Sequence, residues 1–203
     1  SGSFVWFSGS IAAVLTVIMA FFPYRVKKER PKNISRYAAV ADYHKVCGEY
    51  LSRAVDALRE QYPENKFEAF VDNSPIPEVY AASAAGLGVV GDNGLLITPR
   101  YGSYVFLGAI VCDLEIECEN CYTECMHCGF CKNACPVHLN KNDCLSATSQ
   151  KKGELSCEEV QILKRAKTVF GCDICQRVCP HNRDIPAGDN LFGGDIVNTV
   201  DRE

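Results

Sequence analysis

Seven cysteines stand in two spaced runs that leave this chain few ways to fold. The first reads Cys125-Met-His-Cys128-Gly-Phe-Cys131-Lys-Asn-Ala-Cys135-Pro136, a C-x2-C-x2-C-x3-C-P pattern. The second reads Cys172-Asp-Ile-Cys175-Gln-Arg-Val-Cys179-Pro180, a C-x2-C-x3-C-P pattern. Runs of the first kind hold [4Fe–4S] clusters, because a tight loop lets successive thiolates converge on one cube of iron and sulfide. The cysteine before proline turns to the other cube, so the expected ligation is crossed. Cys125, Cys128 and Cys131 join Cys179 on one cluster, while Cys172 and Cys175 join Cys135 on the second. That second set is one ligand short, and Cys144 is the candidate to complete it. Zinc and disulfides are the competing uses. Zinc sites rarely show three cysteines in C-x2-C-x2-C followed by C-P. A disulfide framework suits small secreted chains, and thirteen cysteines is an odd count.

At 203 residues the chain makes one medium domain or two small ones. Its net charge of −4 gives no global basic field of the kind nucleic-acid binders carry, although Arg25-Val-Lys-Lys-Glu-Arg30 is locally basic. Thiolate-held clusters call for a reducing compartment, which points to the cytoplasm. No charge occurs from Ser1 to Pro23, and Phe4 to Phe22 is long enough for a membrane helix. Ser8-Gly-Ser10 interrupts that run, and the β-branched and aromatic stretch from Val14 to Phe22 suits a buried central strand ending at Pro23. The strand is the expectation, and no membrane association is favoured.

Tyr24 to Ser35 is polar and basic and reads as a loop. Cys47, Leu51, Ala54, Val55 and Leu58 recur at helical spacing, predicting an amphipathic helix over 43–58 that stops before Pro63. Phe67 to Val71 predicts a strand that delivers Asp72 to its end. A short helix is expected over 78–85, started after Pro77. Gly86-Leu-Gly-Val-Val-Gly91 matches G-x-G-x-x-G but follows a helix and precedes the strand Leu95–Ile97, so it reads as turns rather than a dinucleotide site. Tyr104 to Val111 predicts another buried strand. Ser156-Cys-Glu-Glu159 is a capping box opening a helix to about Phe170, ended by Gly171. The expected division is an α/β core over 1–116, a cysteine lobe over 117–185 and a tail over 186–203.

The chain resembles the cobalamin-dependent epoxyqueuosine reductases, relatives of the reductive dehalogenases. The matching blocks include Phe22-Pro-Tyr24, Ile34-Ser-Arg-Tyr-Ala38, Asp42-Tyr-His44, Phe70-Val-Asp-Asn-Ser-Pro75, Gly91-Asp-Asn93, Gly102-Ser-Tyr-Val-Phe-Leu-Gly108 and both cysteine runs, collinear from about Val14 to Asn182. The resemblance implies an α+β protein: a nitroreductase-like α/β core and a ferredoxin-like double [4Fe–4S] lobe clamping a base-off cobalamin. Electrons from a donor such as ferredoxin or flavodoxin would pass through the clusters, and epoxyqueuosine in tRNA or a smaller relative would be reduced. It assigns proton donation to Asp72, whose competing reading is a cap on the following helix. It places Ser35, Arg36, Tyr37, Ile76, Pro77, Glu78 and Leu96 against cobalamin, largely through backbone. Cys144 matches the family's extra ligand. No D-x-H-x-x-G signature occurs, so no lower histidine ligand to cobalt is expected.

Departures from the family pattern accompany these blocks. Family members usually carry a longer segment before the core and helical repeats after the clusters, which are not expected within these 203 residues; Asp92 replaces a usual Lys, and His181 replaces a usual Trp. Cys112, Cys118, Cys121 and Cys157 have no assigned role, and Cys47 falls on the apolar helix face. His44, inside a matching block, is the histidine to test. The second hypothesis is a ferredoxin-like electron carrier without substrate chemistry of its own, which would have no need of Asp72 or the glycine blocks.

Overall fold

The structure, a computed structural model, describes residues 2–7, 14–26, 32–116, 124–188 and 191–192. Its centre is a four-stranded antiparallel sheet in the order β1-β2-β6-β3, formed by β1 (Gly2–Phe7), β2 (Val14–Pro23), β3 (Phe67–Phe70) and β6 (Val105–Cys112). The apolar N-terminal run is therefore two paired strands. Met19 stands opposite Gly2 on one side and Ala109 on the other, so β2 is a central strand, as its continuous apolar character requires. Among the described residues, no helix is long and apolar enough to cross a membrane.

Alternation along β2 and β6 gives each face of the sheet its own core. Phe22, Ile110 and Cys112 face α1 (Tyr43–Gln61), which buries Cys47, Leu51 and Val55. Val17, Met19 and Ala109 face α2 (Glu78–Ala84), which contributes Ala81 and Ala82. Asp42 caps α1 by accepting a hydrogen bond from the His44 N–H, and the helix runs three residues past its expected end. Gly108 brings β6 close to that helix: a Cβ there would lie 2.7 Å from Leu51 Cδ1.

The glycine-rich stretch holds a two-stranded ribbon of β4 (Val89–Val90) and β5 (Leu96–Ile97), closed by a turn in which Leu95 O accepts from Gly91 N. The turn reading of this stretch is correct. The remaining helices are α3 (Phe130–Ala134), α4 (Leu145–Ser149), α5 (Cys157–Ala166) and α6 (Ile174–Arg177). The capping box of α5 forms as expected, but the helix ends at Ala166 rather than near Phe170. Lys167 adopts a left-handed conformation (φ 53°) and closes the helix, after which Val169 N donates to Asn33 O and Phe170 bridges Ile34. Pairing with the 33–35 segment overrides the helical pattern there.

The expected start of the cysteine lobe, near Glu117, lies outside the described residues, as do Cys118 and Cys121. The lobe returns to the sheet through polar contacts: Gln176 Oε1 accepts from Ser103 Oγ (3.0 Å) and Tyr24 Oη (3.3 Å), and Asn182 Oδ1 accepts from Ser103 N. The described part of the tail also reaches the core, where Phe192 is buried against Phe106. The sequence gives little sign of that contact.

Candidate active site and thiol centres

The eight cysteines singled out above are all free thiols, carried by α3, α6, the N-cap of α4 and the loops flanking these helices. Left-handed residues turn these loops: His127 (φ 49°) and Gly129 (φ 74°) before α3, then His138 and Leu139 before Cys144. The thiols fall into two electrostatic neighbourhoods. Burial raises Cys179, and Cys128 and Cys125 raise it further. Cys131 is likewise raised by burial, then by Asp92 and Cys125. On the other side, burial pushes Cys175 up to about 12, helped by Cys172, Cys135 and Cys144. Cys172 is raised by burial and by the same two partners, Cys144 and Cys135, with Asp173. One neighbourhood thus holds Cys125, Cys128, Cys131 and Cys179, and the other holds Cys135, Cys144, Cys172 and Cys175.

Such crowding of half-buried thiols is unfavourable for thiolates without a cation to hold them, and a donor set of four sulfurs suits an iron–sulfur cube. Asp92 sits at the first neighbourhood, with Oδ1 2.7 Å from His127 Nδ1, and these atoms and Cys125 Sγ lie within 4.8 Å of one another. Spacing alone gives no sign of this contact, which joins residues 35 apart. Cys47 and Cys112 are buried in the α1-side core, while Cys157 is exposed at the start of α5.

A cleft of about 780 Å³ opens between the sheet and the cysteine lobe. Val105, Phe106 and Leu107 of β6 form its floor, Ser146, Gln150 and Phe170 line the lobe side, and Asp42, His44, Asp72 and Glu78 line the core side. Its size falls within the usual range for cofactor and ligand sites. Asp72 and Asn73 follow β3 with φ of 54° and 44°, an uncommon conformation for two successive non-glycine residues. That turn aims Asp72 at α1. Tyr43 Oη donates to Asp72 Oδ2, and His44 Nε2 lies 3.3 Å from the same oxygen. On its other edge His44 Nδ1 lies 3.0 Å from Asp42 Oδ1. Tyr43 stacks flat on Phe106 (4.3 Å between centroids), and burial followed by Asp72 keeps its phenol protonated.

Asp72 does not cap α2, whose N-cap position is Pro77 with no side-chain cap. The capping alternative is overturned. Glu78, at the first turn of α2, is raised by burial and by the charge of Asp72. Of the other residues placed against cobalamin, Tyr37 lines the cleft and exchanges a hydrogen bond with Ser146 Oγ (3.2 Å). Arg36 lies over the Tyr104 ring, and its N–H donates to Asp173 Oδ2. Ser35 is buried behind the cleft, where Gly171 packs so closely that a Cβ there would come within 2.8 Å of Tyr37 Oη. Ile76 and Pro77 precede α2, and Leu96 is buried in the α2-side core; none of the three lines the cleft.

Comparison with known proteins points in one direction. The family model described as epoxyqueuosine reductase QueG, DUF1730, matches residues 8–73. The chain is 35% identical over 164 residues to the epoxyqueuosine reductase of Lactococcus garvieae, covering 77% of this chain and 46% of that protein. It is 34% identical over 187 residues to that of Synechocystis, covering 86% and 64%. Among solved structures, the epoxyqueuosine reductase of Streptococcus thermophilus superposes with a TM-score of 0.75 at 30% identity, covering 86% of this chain and 50% of that one. An epoxyqueuosine reductase crystallised with an epoxyqueuosine-modified tRNA-Tyr stem loop gives 0.74 at 28% identity, covering 88% and 50%. A Bacillus subtilis enzyme with its catalytic aspartate loop swung out of the active site gives 0.72 at 27%, covering 90% and 51%. The chain spans about half the length of most of these relatives. Its mixed α/β fold is the fold of these crystal structures.

Proposed function

The chain belongs to the epoxyqueuosine reductase family, and from that premise we propose that it reduces epoxyqueuosine in tRNA, with two [4Fe–4S] clusters, a base-off cobalamin in the cleft and Asp72 as proton donor. The observation that carries this reading is the cleft itself. One wall bears Asp72 tied to Tyr43 and His44, and the opposite wall belongs to the lobe that gathers eight thiols. The arrangement supports a nitroreductase-like core facing a ferredoxin-like lobe. A relative's structure with a modified tRNA stem loop supports tRNA as the substrate. Chemistry with exposed cluster thiolates fits a reducing, cytoplasmic setting.

Cysteines 125, 128, 131 and 179 would hold one cluster, and cysteines 135, 144, 172 and 175 the other. Tyr37 and Glu78, which line the cleft, would hold the corrin there. Bound there, cobalamin supplies a low-valent metal able to attack the substrate ring. Converting an epoxide to an alkene and water takes two electrons and two protons, and the protein must deliver the protons where the oxygen leaves. Asp72 lines the cleft, half exposed, and would serve as that donor. Tyr43 fixes its carboxyl by donating to Oδ2. Through its two ring nitrogens His44 connects Asp72 to the exposed Asp42. Flat stacking of Tyr43 on Phe106 keeps water from the inner side of this group.

The test is turnover of an epoxyqueuosine-modified tRNA stem loop by protein reconstituted with iron, sulfide and cobalamin. Asp72→Asn is expected to keep its broad absorbance near 400 nm and its cobalamin while turnover falls by a factor on the order of 10²–10⁴. Retained turnover removes Asp72 from the reaction. Retained clusters with no cobalamin binding in the wild type would instead favour the electron-carrier reading.

A further inference from the structure

We propose that a second hollow, on the far side of the 33–35 segment from the cleft, is the docking point of an acidic one-electron carrier protein. This rests on the cluster reading above and names the partner of the second cluster. The hollow holds about 330 Å³ between residues 32–35 and 166–177. Cys172, one of the four thiols of the second group, stands in its wall. Its rim carries the exposed cations Lys32, Lys167 and Arg177. The one carboxylate lining it, Asp173, is buried and accepts from the Arg36 N–H. Three positive charges against one thus ring this opening in a chain whose net charge is −4.

The cleft has the opposite polarity. Asp42, Asp72 and Glu78 line it, with no Lys or Arg among its lining residues. The Ile34–Phe170 bridge runs between the two openings, since Ile34 lines the hollow and Phe170 the cleft. A basic mouth beside a cluster sulfur, separated from the substrate side, is what an acidic donor requires, because opposite potentials steer encounter and align the redox centres. Nucleic-acid phosphate would share the rim charges. It has no use for a redox thiol in the wall, and the buried Asp173 opposes an anion entering between the apolar walls of Ile34 and Ile174. The partner is therefore held at the rim, by its surface carboxylates. In each encounter the reduced carrier loses one electron and the cluster gains one, so two encounters serve one two-electron epoxide reduction.

The experiment follows cluster bleaching in a stopped-flow instrument, with photoreduced flavodoxin as the acidic donor and reduced methyl viologen, a small cation, as the control donor. Lys32→Glu/Lys167→Glu is expected to slow reduction by flavodoxin on the order of 10-fold or more at low salt and to flatten its salt dependence, with methyl viologen reduction not slowed. Arg177→Gln, a milder change nearer the ligands, should slow flavodoxin in the same direction at unchanged iron content. Equal flavodoxin rates and salt slopes in wild type and double variant overturn the docking site while leaving the clusters standing. The same is concluded if flavodoxin rates hold but affinity for a tRNA stem loop falls, for then the rim belongs to RNA. Wild-type protein that takes up no iron overturns the cluster reading, and this proposal with it.

Discussion

At the scale of single residues, the acids of the cleft are not equivalent. Asp72 is half exposed and hydrogen-bonded, whereas Glu78 is placed where its charge is unwelcome, raised by burial and by Asp72. A carboxyl whose folded pKa is raised binds its proton more tightly in the folded state. Its favourable contribution is present below the ordinary Glu range and is lost as pH rises through the folded value. Glu78→Gln in cobalamin-free protein should therefore raise Tm at about pH 8 and leave it nearly unchanged near pH 4; a gain confined to acid pH would show that the sign is wrong. His44 makes a different prediction. His44→Gln keeps a polar side chain but loses the second ring nitrogen that reaches Asp42, so turnover should fall about 10-fold or more with cobalamin affinity intact. The importance of Asp42, His44 and Asp72 is partly legible in the chain as local blocks. Their convergence is not, because Tyr43 and Asp72 are 29 residues apart and meet only through an uncommon pair of left-handed residues.

At the scale of elements, legibility follows how many neighbours an element needs. The helix α1 announces itself by the spacing of Cys47, Leu51 and Val55 and by its Asp42 cap, because its pattern is complete within the segment. The strand β2 is equally plain, since it pairs on both edges and sends Val17 and Met19 into one core and Phe22 into the other. The end of α5 is misread because its stop depends on pairing of Val169 and Phe170 with a segment more than a hundred residues earlier. Packing between α1 and β6 has its own signature in Gly108. An alanine Cβ there would meet Leu51 Cδ1 at 2.7 Å and Phe22 Cε2 at 3.3 Å. Gly108→Ala should cost about 1–3 kcal/mol in denaturant unfolding. Leu51→Ala leaves a void at the same place, so the double variant should be less destabilised than the sum of the two singles. Strict additivity would mean that the helix shifts away rather than clashing.

At the scale of the whole molecule, the cysteine lobe and the sheet are stabilised by different means. The sheet carries two apolar cores, while the lobe has short helices of four, five and ten residues and many loops. Such pieces are marginal alone, and a bound cluster supplies folding free energy that their packing does not. The lobe also holds the sheet's rim: Gln176 and Asn182 satisfy Ser103 and Tyr24, Asp173 anchors Arg36, and Gly171 packs on Ser35 and Tyr37. Removing iron with a chelator under anaerobic conditions should thus loosen more than the lobe. Amide exchange is expected to accelerate across 124–182 and, through these contacts, at 33–38 and 101–104, whereas α1 and the paired strands β2 and β6 keep their protection. Because Cys131, Cys172, Cys175 and Cys179 are raised by burial and by neighbouring thiols, iron loading itself should weaken as pH falls, since each ligand must shed a proton to bind. Exchange that spreads uniformly through β2 and β6 would show one cooperative unit, and the cleft would then owe its shape to the clusters as much as to the core.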